Sequence, residues 1–322
     1  MLGVEAKLRG WAIPRPVVLL SAAVTLAIVG AFVLVLWLAG LAAALGLGMG
    51  LLAGARPALA LPPRSAMALT LPTALAGAAA VGLRGDPFAA ACFVALCCAM
   101  IAPAEMRQEG LLAGLPTAAA VLVAVPGAFA PATTAFWMVG GGLLSVAIAV
   151  AAKFPRAAVP GTPPHRAWRH ATVMAASVGL VVYVVQLYEV PHGYWVAVTL
   201  TVVLRPLHDL TRTKARQRII GTIAGVVLAL LLAWLLPAWG VVLALAVCLA
   251  LMTSYALLGD YLKQVVFLTP AVVLLAPAGG VGLYAAERAV ATLAGTLLAG
   301  ALALLLERAD SDQPAVVTAD GE

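Results

Sequence analysis

The residues best suited to chemistry lie in one stretch, 192–229, which reads HGYWVAVTLTVVLRPLHDLTRTKARQRIIGTIAGVVLA. It opens on the aromatic pair Tyr194 and Trp195 and runs without charge to Arg205-Pro206. The basic residues Arg212, Lys214, Arg216 and Arg218 follow, and then Gly221, Thr222 and Gly225. Rings beside guanidinium groups can hold an organic anion, because the ring offers a flat apolar wall and arginine a planar fork of donors. The same rings at a helix end also serve as an interfacial belt, and a basic loop beside a bilayer also serves as a topology determinant. Sequence alone leaves both pairs of readings open. Glu287-Arg288, near the start of the last apolar run, adds a carboxylate and a further cation, placed to snorkel, to pair, or to handle protons or anions. The candidate substrate contacts are therefore Tyr194, Trp195, Arg205, Arg216, Glu287 and Arg288. Gly221, Thr222 and Gly225, with Thr292 and Gly295, have the small-residue spacing that lets membrane helices approach closely, with threonine able to bond across the contact.

Catalytic patterns are missing from the sequence. There is no serine elbow, phosphate-binding loop or HExxH, and His165, His170, His192 and His208 lack metal-ligand spacing. Neither an enzyme nor a metal or cofactor is expected. Cys92, Cys97, Cys98 and Cys248 sit in apolar runs without a CxxC pair and read as small packing residues. Gly46, Gly48 and Gly50 resemble a nucleotide loop only in spacing, since no strand precedes them; they and Gly140–Gly142 read as packing glycines. No carboxylate is expected deep in the membrane.

These residues must be positioned by membrane helices. Of 322 residues, 64% are hydrophobic and 10% charged, with mean hydropathy +1.08 and net charge +6. A soluble surface needs roughly a quarter of its residues charged, so composition excludes a soluble enzyme, a disordered chain and a disulfide scaffold. The charge excess reads as topology and attraction to anionic lipid rather than nucleic-acid binding. Basic residues before position 17 resemble a signal peptide, but the apolar run continues too far for one and reads as a retained span. A helix needs about 20 residues to cross the hydrocarbon core. On that measure 16–55 holds two helices, 65–83 and 87–104 one each, and 110–152 two, broken near Pro126, Gly127 and Pro131. The second half divides as 170–188, a short 190–204, a hairpin within 219–259, and then 264–286 and 289–306, with a turn near Pro277 and Gly279.

The expected fold is all-α and polytopic, with about twelve membrane helices as two parallel six-helix bundles. The domains would be 1–152, a Pro-rich cytoplasmic linker 153–169, 170–308, and a disordered acidic tail 309–322. Threading twelve spans from a cytoplasmic N-terminus puts 17 of the 19 basic residues inside, among them Lys7, Arg9 and Arg156, which supports both termini in the cytoplasm. Arg56-Pro57 and Thr73 recur as Arg205-Pro206 and Thr222, hinting at duplication.

The run from Tyr194 to Gly225, YWVAVTLTVVLRP followed by R-x-R-x-x-GT-x-x-G, resembles the fusaric acid resistance / aromatic acid exporter family. Arg288 with Thr292, Leu293 and Gly295 is similar to that family's closing Arg-x-x-x-Thr-x-x-Gly helix. The resemblance is good over 170–308 and weak over 1–152. It implies two six-helix bundles and efflux of small organic anions, aromatic carboxylates among them, with a proton gradient as the proposed drive. Plant malate channels of similar sequence keep passive anion conduction as the alternative. Longer bacterial members carry a cytoplasmic domain between the bundles, where about 17 residues stand here.

The expected protein is thus a cytoplasmic-membrane exporter whose partners are the bilayer, a small organic anion and, in one arrangement, further copies of itself. A passive anion channel and a non-transporting scaffold are the rivals. A major-facilitator carrier fits the span count, but the chain is short for one and lacks that family's Gly-x-x-x-Asp-Arg-x-Gly loop.

Overall fold

The computed structural model describes residues 11–125, 130–154, 159–275 and 280–311. Lys7, Arg9, Pro126, Gly127, Pro155, Arg156, Pro277, Gly279 and the tail from Asp312 lie outside them. The described residues form helices joined by short turns: α1 Arg15–Ala60, α2 Pro63–Gly82, α3 Pro87–Ala99, α4 Ile101–Arg107, α5 Gly114–Ala124 and α6 Pro131–Ala151. The second half continues with α7 Pro164–Leu187, α8 Tyr194–Val203, α9 His208–Leu235, α10 Ala238–Leu257, α11 Tyr261–Val273 and α12 Val281–Ser311. Proline opens many of them: α1, α2, α3, α6 and α7 all carry it in the first turn, where its missing N–H costs nothing.

Among the described residues, eight helical segments are long and apolar enough to cross a membrane, with α3 and α4 together making one of them. The sequence reading of about twelve counted further segments that take other forms here. The run 16–55 holds two helical lengths within the 46 residues of Arg15–Ala60, as expected, joined at Gly40, whose φ of 81° breaks the helical path, and Phe32 before the break packs by Gly48 after it. A straight helix of that length would reach about 69 Å, more than twice the hydrocarbon thickness, so the interruption divides it into lengths a bilayer can hold. The helices α5, α8 and α11 are apolar but only 11, 10 and 13 residues long. At about 15 Å, α5 and α8 reach half the core, and both are shielded: their residues Leu115–Ala120 and Ala197–Thr201 are buried. The two lie against each other, with Thr117 and Thr201 hydrogen-bonded at 2.8 Å. Helix α7 begins at Pro164, inside the stretch expected as linker.

Burial runs opposite to that of a water-soluble protein. Trp37, Trp234, Trp239 and Phe88 are largely exposed, whereas Arg288, Arg218, Glu105, His170 and many threonines are buried. Such a molecule suits a solvent of acyl chains, where polar groups turn inward. Close contacts between α1 and α6 depend on glycine: a Cβ on Gly50 would strike the Met138 backbone, and one on Gly141 the Leu47 carbonyl.

An offset of 149 residues relates the two halves more fully than sequence indicated. It carries the part of α1 before Gly40 onto α7, the part after it onto α8, α2 onto α9, α3–α4 onto α10, α5 onto α11 and α6 onto α12. Left-handed backbone recurs with it, at Gly40 and Glu189 and at Gly110 and Gly259. The halves interlock: α7 packs on α3 and α4, and α1 packs on α10.

Candidate functional site

Helix α8 is short because the chain on both sides of it leaves the helical path. His192, with φ of 55°, precedes it, and Arg205-Pro206 follows Leu204 in extended conformation. Pro206 removes a donor and disfavours helix at the residue before it. Buried Thr211, in the first turn of α9, fastens this break: its Oγ1 accepts the Arg205 N–H at 2.9 Å. Arg205 is thereby held at the joint between α8 and α9, half-buried, with its Nε lacking a partner among the described residues. Burial lowers its pKa, Tyr261 and Glu109 pull it back up, and Arg56 nearby lowers it again.

From Arg205 a series of cationic and aromatic groups leads through α8, α9, α11 and α12. Lys214 lies within electrostatic reach of Arg205, and its Nζ sits 5.0 Å above the Tyr261 ring. One helical turn further along α9, Arg218 is 2% exposed, and it interacts electrostatically with Arg288 of α12. Arg288 is 1% exposed and lies over Trp195, its guanidinium carbon 3.9 Å from the ring centroid. Tyr194 and Tyr284 stand beside this pair. Glu287 turns instead to His192, accepting from or bonding to its Nδ1 at 2.7 Å, while the His192 ring meets Tyr284 edge-on at 4.8 Å. A cavity of about 360 Å³, lined in part by Gln186, Glu189, His192 and Tyr194, opens at this end.

The series is distinguished by unused donors. Among the described residues, Arg288 Nε and Nη1, Arg218 Nε and the hydroxyls of Tyr261, Thr199 and Thr292 are buried without a hydrogen-bond partner. The Trp195 indole N–H has no bond of good geometry either, although Tyr194 lies close. Buried donors in native proteins nearly always have partners, so a group of them is a feature that needs a cause. Guanidinium and indole groups only donate, and an anion is what would satisfy them together.

Helix contacts set the spacing. A Cβ on Gly225 would lie 2.6 Å from Thr269 Cβ of α11, one on Gly221 2.9 Å from Val265 Cβ, and one on Gly295 2.8 Å from Thr199 Cβ of α8. Thr222 and Thr292 are buried in these contacts. The structure therefore brings Tyr194, Trp195, Glu287 and Arg288 together, with Arg205 at the far end of the same series. Arg216 is exposed and apart from it. Sequence reasoning named Arg218 and Lys214 within the basic run but chose Arg216 as its contact, and it passed over Tyr261. The signal for Arg218 was present: it lies one turn before Thr222 and two before Gly225, on the packed face of α9, which Arg216 does not share.

A second buried polar group was also missed. Glu105 of α4 and His170 of α7 are 2% and 3% exposed and joined at 2.9 Å. His170 is within a helix rather than at a loop, and Glu105 is a carboxylate buried where none was expected. Residues 65 positions apart give no local pattern by which to pair them. Among the described residues no group of His, Cys, Asp and Glu is arranged to hold a metal.

Comparison with known proteins places the site in context. Residues 180–302, which span α8 to α12, match the family described as fusaric acid resistance protein-like, so the resemblance read from Tyr194–Gly225 and Arg288–Gly295 holds over that segment. An uncharacterized protein of Haemophilus influenzae is 34% identical over 107 residues, 33% of this chain and 15% of that protein. The inner membrane protein YccS of Escherichia coli is 32% identical over 76 residues, 24% of this chain and 11% of its own length. The chain thus aligns with only a small part of these relatives. No solved structure matches it. With the eight long apolar helices, the family match and the inner-membrane relative mark the chain as a multi-pass membrane protein.

Proposed function

We propose, from a segment that matches the fusaric acid resistance protein-like family, that the chain moves small organic anions across the membrane along the series from Arg205 to Arg288. The observation that carries this reading is the set of buried, unpartnered donors on Arg218, Trp195 and Arg288. A carboxylate reaching Arg288 would accept two guanidinium hydrogen bonds in the fork geometry such groups favour. The Trp195 ring backs that fork and leaves Tyr194 and Tyr284 as walls for an aromatic or apolar remainder. Lys214 and Arg205 would draw the anion in from the other end.

The threading that puts most basic residues on the cytoplasmic side makes the Arg205 end cytoplasmic and the direction outward. The recurring helix boundaries support twelve helical segments as two six-helix units of the same orientation. In this arrangement only the second unit carries the Trp195, Arg218 and Arg288 set: the offset that relates the halves places Gly46, Leu69 and Val139 at those positions, although Arg56 answers Arg205. One conducting unit per chain follows.

Purified protein in liposomes, loaded with labelled benzoate, should release it faster than empty liposomes, and equal rates would sink the proposal. Imposing a pH gradient and a membrane potential separately distinguishes a coupled exporter from passive conduction.

A further inference from the structure

Glu105 and His170 take no part in the series just described, yet they form a buried ionisable pair joining α4 to α7. The offset that relates the halves supplies a comparison within the same molecule. It carries Glu105 onto Ser254 and His170 onto Ser21, and those two serines are themselves hydrogen-bonded, joining α10 to α1. The same helix crossing is thus built twice, once with a carboxylate and an imidazole and once with two hydroxyls. Since hydroxyls suffice to bridge the crossing, a packing requirement does not account for the titratable pair. A buried carboxylate and imidazole are costly to desolvate and are retained where they serve a purpose.

We propose that Glu105 and His170 form a proton-binding site whose occupancy is linked to anion binding at Arg205, a reading that rests on the anion path above. The Nδ1 of His170 meets Glu105 Oε2, and Nε2 is buried with no partner among the described residues. Glu105 acts electrostatically on Arg205 at the α8–α9 joint. The other charges around Arg205 are Glu109 and Arg56, with Lys214 beyond it. Of the remaining helices against α7, α3 offers only the thiols of Cys92, Cys97 and Cys98, and α5 and α8 bring no charged side chain. Arg107 and Arg166 lie near in sequence but are exposed, and Arg169 is partly buried. With a neutral imidazole the pair carries one negative charge, which engages Arg205. One proton from solvent makes the pair neutral overall, which removes one of the two carboxylates acting on Arg205, leaves Glu109 as the other, and favours an incoming anion. Linkage is reciprocal, so a bound anion must raise the affinity for the proton by the same factor.

The test uses the full chain in lipid nanodiscs with benzenesulfonate, an anion whose charge does not vary with pH, read by tryptophan fluorescence. Native affinity should rise about 5- to 150-fold as pH falls from about 8 to about 5, the range of typical couplings. Glu105→Gln removes the pair's negative charge and leaves His170 as its one titratable member, so its pH response should be several-fold weaker than that of the native protein. The double variant Glu105→Ser with His170→Ser installs the chemistry that the molecule already uses at Ser21 and Ser254, and should fold and lose the pH response. A pH response that survives undiminished in either variant overturns the proposal, as does failure of both to yield monodisperse protein, which would assign the pair to packing. If the native protein binds no benzenesulfonate, the transport reading has failed on its own. Infrared difference spectra across the same pH range then decide the proton site, which stands only if a titrating band disappears in Glu105→Gln.

Discussion

Replacing Arg288 with leucine separates a site residue from a structural one. Two of its nitrogens are buried without a partner, and each such donor costs about 1–3 kcal/mol relative to hydration. Stacking on Trp195 returns about 2 kcal/mol. The sum favours an apolar substitute of similar volume, or is near zero, as for other buried charges replaced by hydrophobic side chains. Arg288→Leu should therefore leave the melting temperature in detergent unchanged or raise it. Transport should respond in the opposite sense. Two charge-assisted hydrogen bonds to a carboxylate are worth about 1.5–3 kcal/mol each, so their loss should reduce benzoate flux by roughly a hundred- to ten-thousand-fold. Arg288→Lys keeps the charge but not the plane that lies on Trp195, and should fall between the two. Thermal unfolding followed by size-exclusion chromatography, with flux from the same preparation, reads both quantities. Native flux in Arg288→Leu, or a melting temperature that drops in step with flux, would refute the reasoning.

Further outcomes follow from the same geometry. Arg218→Gln should lower flux at least tenfold while Arg216→Gln leaves it within about twofold, because only the former is buried beside Arg288; paired flux assays check this. Gly141→Ala should destabilise by more than about 3 kcal/mol, since its Cβ would meet the Leu47 carbonyl, which cannot move without shifting α1; denaturant titration measures it. Gly225→Ala should cost about 1–3 kcal/mol by separating α9 from α11 and should reduce flux as well, a double loss visible in the same two assays. Thr117→Val should cost about 0.5–1.5 kcal/mol, the worth of one hydrogen bond, because Thr201 loses its cross-helix partner but keeps its bond to the Val198 carbonyl, with Thr201→Val adding little further.

Much of the scaffold could be read from spacing and composition. Prolines and glycines marked the helix ends, the aromatic pair and Arg205-Pro206 bounded a helix too short to stand alone in lipid, and Arg288 stood out as an arginine inside an apolar run. Two kinds of information were harder to extract. The choice between Arg216 and Arg218 depends on helical phase, which becomes legible only when α9 is tied to its packed glycines. The Glu105–His170 pair depends on α4 meeting α7 across the boundary between halves, and no local pattern encodes that meeting. The break in the first apolar run falls at Gly40, where a positive φ separates its two helical lengths, and nothing in that uncharged sequence singled this glycine out from Gly30 or Gly46.

The interlocking of the halves also bears on how the protein is made. Ser21 finds Ser254 only after 233 further residues have left the ribosome. At bacterial elongation rates of about 5–20 residues per second that is a wait of roughly ten to fifty seconds. Through that interval the N-terminal helix has to reside in lipid, or with an insertion chaperone, before the neighbour it is shaped for exists. Assembly must therefore finish from the end of synthesis backwards, and a stalled or truncated product would leave that first helix bereft of its seat.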